Sequence, residues 1–110
     1  MGYLINNDTK EIFLTRGDTL KVTINLFKDG LLYQPEQGDV IRFAMKKNFD
    51  RRAKVLINKV IPNDTLELHL EPEDTKMYNF GDYVYDIQIT FANGDVDTFI
   101  KGIIRLEEEV

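Results

Sequence analysis

An all-β, antiparallel sandwich of about seven strands is the fold this sequence predicts, and three observations predict it. Apolar residues recur at every second position in four segments, Gly-Asp, Asp-Gly and Asn-Gly pairs punctuate them, and no segment sustains a 3.6-residue period. A period of two sends alternate side chains to opposite faces of a strand, so one face meets a core and the other meets water or a partner.

The four clear strands are Thr19–Phe27, Asp39–Lys46, Thr65–Glu71 and Asp82–Phe91. Their inward sets are Leu20, Val22, Ile24 and Leu26; then Ile41, Phe43 and Met45; then Leu66, Leu68 and Leu70; then Tyr83, Tyr85, Ile87, Ile89 and Phe91. Weaker alternation marks Lys10–Thr15, Ala53–Ile61 and Asp95–Leu106, with Gly102 expected to bend or bulge the last. Glu73–Phe80 is expected to form one helical turn. Asp29-Gly30 and Asn93-Gly94 suit type I′ hairpin turns, which need positive φ at both central residues.

At 110 residues the chain is expected to be one domain spanning 1–110, with an N-terminal arm at 1–9 and an acidic tail at 107–110. Its 43% hydrophobic and 30% charged residues make an ordinary globular balance. With no cysteine, neither disulfides nor thiolate metal sites hold the fold, which fits a reducing compartment or an assembly stabilised by partners. The formal net charge of −5 argues against a nucleic-acid partner, because phosphate neutralisation needs clustered cations. The one basic cluster, Lys46, Lys47, Arg51, Arg52 and Lys54, reads as a solvated loop between strands. Neither a membrane-length apolar run nor a signal peptide is evident, so no membrane partner is expected.

Arg16-Gly17-Asp18 spells an adhesive tripeptide, yet Gly-Asp recurs at Gly38-Asp39, Gly81-Asp82 and Gly94-Asp95, each time before an alternating run. Glycine frees φ and aspartate accepts backbone amides, so the tripeptide reads as a strand opener. Serine is absent as well as cysteine, which removes the usual nucleophiles, so an enzyme is not expected. The sole histidine, His69, lies between Glu67 and Glu71 on a polar strand face; a metal site there is the sharper alternative to ordinary cross-strand pairing. The turn aspartates match no calcium loop, and no phosphate-binding loop occurs, so neither metal nor cofactor is expected. Phe27, Phe49 and Phe99 fall outside the inward sets and are candidates for an interaction surface.

Glu73-Asp74-Thr75 followed by Gly81-x-Tyr83 resembles the turn between two strands of an immunoglobulin-like domain. That resemblance makes Tyr83 the candidate tyrosine corner, with its hydroxyl turned back to the backbone. The combination of "RGDT", "GDVIRFAMK", "EPEDT", "GDYVYDIQI" and "NGDVDTFIKG" resembles bacteriophage structural proteins of Gram-positive hosts. The example is the immunoglobulin-like N-terminal domain of BppU-type upper baseplate proteins, and the likeness runs from about Lys10 to Leu106. It implies a non-catalytic module of a phage or prophage virion (tail, baseplate or neck), made in the bacterial host cytoplasm. Its implied partners are other virion proteins or a second copy of itself. The alternative is a cell-surface immunoglobulin-like binding or adhesion module, with carbohydrate as one ligand.

Overall fold

The computed structural model describes residues 3–108, and the chain is mostly β. In order the elements are β1 (Tyr3–Ile5), β2 (Ile12–Thr15), β3 (Leu20–Thr23), β4 (Phe27–Lys28), β5 (Leu31–Leu32) and β6 (Val40–Lys46). They continue with β7 (Val55–Ile61), β8 (Glu67–Leu70), α1 (Pro72–Lys76), β9 (Gly81–Thr90) and β10 (Val96–Glu107). Three hydrogen-bonded groups result: a six-stranded sheet ordered β1-β2-β10-β9-β6-β7, a β3–β8 ribbon, and the β4–β5 hairpin.

Both the large sheet and the ribbon turn their apolar faces to one core. Ile41, Phe43 and Met45 of β6 and Tyr83, Tyr85, Ile87 and Ile89 of β9 join Leu20, Leu68 and Leu70 of the ribbon in a single buried cluster. Alternation holds without a break along β9, where every second side chain from Tyr83 to Ile89 is buried. Val22, Ile24 and Leu66, expected in the core, are only partly buried. They belong to or adjoin the ribbon, whose two strands are too few to cover the sheet.

Several expectations need correction. The large sheet is mixed, because β2 runs parallel to β10, with Ile12 beside Ile104 and Leu14 beside Leu106. A parallel pair needs a long connection, and nearly the whole chain separates these two strands. Residues 3–5 are not an arm. An Asn6–Lys10 turn, closed by Asn6 N–H to Glu11 carbonyl (2.9 Å) and Lys10 N–H to Asn6 carbonyl (2.8 Å), folds β1 onto β2. Glu107, expected in the tail, ends β10 and pairs with Thr15, while Glu109 and Val110 lie outside the described residues.

The bulge in β10 falls between Thr98 and Ile100, not at Gly102. Gly102 is needed for another reason: a Cβ there would lie 2.5 Å from the Lys10 carbonyl oxygen and 2.8 Å from the Tyr85 ring. Asp29 and Gly30 both have positive φ (53° and 78°), as a type I′ turn requires. The second hairpin differs: Gly94 N–H bonds the Phe91 carbonyl (2.8 Å), which makes Ala92 and Asn93 the central pair and puts positive φ on Gly94 alone. All four Gly-Asp glycines, 17, 38, 81 and 94, have positive φ.

Candidate interaction surface

One side of the core is left open. A groove of about 550 Å³ runs between β1–β2 and β3 and is lined by Tyr3, Ile5, Ile12, Val22, Ile24 and Phe27, with Leu68, Ile87 and Ile100 among the deeper residues. It exists because β3 pairs only with β8, while β1 ends the large sheet on the same side. Among the described residues one polar tie crosses from one rim to the other, the Tyr3 hydroxyl donating to the Lys21 carbonyl at 2.9 Å.

Hydrogen-bond direction fixes which backbone groups of β3 look into this opening. Ile24 N–H donates to the Leu66 carbonyl (2.9 Å), and Val22 lies opposite Leu68. In an antiparallel ladder, directions alternate residue by residue, so Val22 points at β8 whereas Lys21 and Thr23 point away from it. The Tyr3 bond to the Lys21 carbonyl agrees with that assignment.

The three candidate phenylalanines do not form one patch. Phe27 is 59% exposed on the β4–β5 hairpin, pairs with exposed Leu32, and borders the groove. Phe99 occupies the β10 bulge, half-buried, with its ring centroid 5.5 Å from that of Tyr33. Phe49 lies across the outer face of the large sheet, where Lys101 Nζ sits 5.3 Å from its ring centroid. Beneath it is a second hollow, about 230 Å³, bordered by Lys46, Arg51, Asp86 and Lys101.

Tyr83, at the start of β9, donates its hydroxyl to the Asn79 carbonyl, 2.8 Å away and four residues upstream. His69 Nε2 lies 2.7 Å from Glu71 Oε1, and the described residues contain no cluster with a metal-ligand set. Arg16 is engaged with its own fold: Nη1 donates to the Tyr78 carbonyl (3.2 Å) and the guanidinium lies 4.2 Å from the Phe80 ring centroid. Gly17 N–H donates to the hydroxyl of fully buried Thr75 in α1 (2.8 Å). The tripeptide is thus a joint between the β2–β3 turn and α1.

Two tyrosines near these surfaces hold their protons unusually tightly. Burial pushes Tyr85 up to about 12, and its hydroxyl donates to the Lys10 carbonyl at the groove wall (2.6 Å). The hydrogen bond to Asp39 does the same for Tyr33, also to about 12. Asp39 is held below its ordinary value first by the Glu36 amide and then by the Tyr33 hydroxyl.

Groove residues that sequence reasoning missed are Tyr3, Ile5, Ile12 and Ile100. "YLI" at Tyr3–Ile5 is an unbroken apolar triplet with no period to read, and three residues are too few to distinguish a strand from an arm. The sequence matches no protein-family model and no curated protein at a significant level.

Proposed function

We propose that this chain is a non-catalytic interaction module of a phage or prophage virion, built as an immunoglobulin-like β-sandwich. Support for the sandwich comes from a five-strand run, β2-β10-β9-β6-β7, facing a β3–β8 ribbon across one core. The Tyr83 bond to Asn79, just after a one-turn helix, has the form of a tyrosine corner.

The observation that carries the interaction role is the open apolar side. A domain with no further business there would cover Val22, Ile24, Ile5 and Phe27 with another strand or with charge. Placement in a virion rests on the likeness of "GDVIRFAMK", "GDYVYDIQI" and "NGDVDTFIKG" to phage structural proteins. Adhesion through Arg16-Gly17-Asp18 is disfavoured, because the Arg16 side chain grips Tyr78 and Phe80.

The test is mass spectrometry of particles purified from the source strain after prophage induction or infection. Peptides of this chain co-sedimenting with particles, in fixed ratio to the major tail or capsid protein, would support the assignment. Their absence from particles while the protein accumulates in the cell would overturn it.

A further inference from the structure

We infer that the open side accepts one extended segment of a partner protein, added as a strand to the free edge of β3 and carrying acidic residues beside its apolar ones. The inference rests on the interaction-module reading and names the chemistry of the partner.

Backbone geometry selects an extended occupant. The Lys21 N–H and both backbone groups of Thr23 point away from β8, and among the described residues no hydrogen bond uses them. Unpaired donors and acceptors on a strand edge are matched by another strand at the usual spacing of about 4.8 Å. Of the outward groups of Lys21 and Thr23, the Lys21 carbonyl is the one already held, by the Tyr3 hydroxyl. Such an added strand turns alternate side chains inward. Inward here means the groove, where Ile5, Ile12, Val22, Ile24 and Ile100 offer apolar walls about 550 Å³ in volume. A helix would satisfy none of the β3 edge, since its own backbone groups are already bonded.

Charge selects the flanks. Lys10 is the one ionised side chain among the groove's lining residues, and Lys21 stands exposed on β3. Among the described residues no carboxylate lines the groove, although the chain as a whole carries a net charge of −5. An acidic segment therefore meets local cations, whereas a basic one meets repulsion. A second copy of this chain would present the same Lys21 edge, setting like charges close together, and so fits less well.

The probe is a fluorescein-labelled peptide of alternating valine and threonine with aspartates at both ends, followed by anisotropy and by amide hydrogen exchange. Expected are saturable binding and new protection of the Lys21 and Thr23 amides. Thr23→Pro removes an outward N–H while leaving the β3–β8 ladder intact, and should weaken binding by about tenfold or more. Should Thr23→Pro unfold the domain, Lys21→Glu serves instead: it should invert the preference between the aspartate-ended peptide and a lysine-ended one. Binding to neither peptide up to millimolar concentration would overturn the proposal, as would binding that leaves both amides unprotected. Protection that appears without peptide and grows with protein concentration would overturn it in favour of self-pairing. None of these results bears on whether the chain is found in particles.

Discussion

The six-stranded sheet and the β3–β8 ribbon face the same core but are finished differently. In the sheet, Ile41, Phe43, Met45 and Ile89 are fully buried, and every strand but the outermost two has neighbours on both sides. In the ribbon, Leu20 and Leu70 are fully buried whereas Val22 on the same strand is only partly so. The contrast teaches that burial here is set by how many strands cover a position rather than by its place in an alternating pattern. A regular period says which way a side chain points, and neighbours decide how much water it loses.

The most direct way to break this comparison is to truncate one side chain in each region. Phe43→Ala removes a ring that is fully buried and stacked on Tyr85 at 5.5 Å, so it should cost about 3–5 kcal/mol. Val22→Ala removes a smaller group that already borders the groove, and should cost about 1 kcal/mol. Urea denaturation of both variants checks this. Losses of equal size would mean that the ribbon is as well covered as the sheet.

Gly102→Ala probes how closely the mixed sheet is packed. Its Cβ would meet the Lys10 carbonyl oxygen at 2.5 Å and the edge of the Tyr85 ring at 2.8 Å. Neither can move without disturbing the Tyr85 hydroxyl bond to Lys10, so a loss of roughly 1–3 kcal/mol is expected. A thermal melt unchanged by the substitution would show that β2 and β10 have room between them.

Much of this was legible in the sequence, and apart from the three-residue β1, too short to read, the main failures share one cause. The seven expected strands each correspond to an observed one, because Leu68, Ile41 or Ile87 reports its direction through neighbours two residues away. Pairing is different. Nothing near Ile12 says that it will lie beside Ile104, and nothing near Gly102 reveals the Lys10 carbonyl that demands a glycine. The groove was hidden for the same reason, since Ile5, Val22 and Ile100 meet only after distant strands pair. Phe27 could be recognised as exposed, but its place beside a free strand edge could not.

Smaller effects test the joint between the ribbon's entry and α1. Thr75→Val strands the Gly17 N–H next to a buried methyl, at a cost of about 1–3 kcal/mol. Gly17 has φ of 85°, so Gly17→Ala should cost on the order of 1 kcal/mol. Arg16→Ala loses the Tyr78 bond and the Phe80 contact and should cost about 0.5–1.5 kcal/mol, which is more than exposed Asp18→Ala. That order places Arg16 above Asp18, reversing what a plain strand-opening turn would give. Equal melts for the Arg16 and Asp18 variants would remove the joint from the account.

The last effect separates two residues that the large sheet protects by different means. Tyr33 and Tyr85 are both pushed up to about 12, but hydrogen bonding to Asp39 leads for Tyr33 and burial for Tyr85. A tyrosine whose folded value is raised stabilises the fold fully below its ordinary value of 10, and that contribution is lost as pH climbs from 10 towards 12. Asp39 has the opposite sign: its lowered value contributes stability above its ordinary 3.8, lost as pH falls through the folded value. Replacing Asp39 with Asn weakens the leading cause, because a neutral amide oxygen is a poorer acceptor for the Tyr33 hydroxyl than a carboxylate, and it also removes the negative charge that opposes phenolate formation. In a tyrosine absorbance titration, Asp39→Asn should therefore bring one late-ionising tyrosine back towards 10 and leave the other near 12. The same variant should narrow the difference in urea midpoint between neutral and acid pH, because it has no carboxylate to protonate. If both tyrosines shift together, the two sites are coupled through the sheet, and the division between a hydrogen-bond-held and a burial-held proton fails.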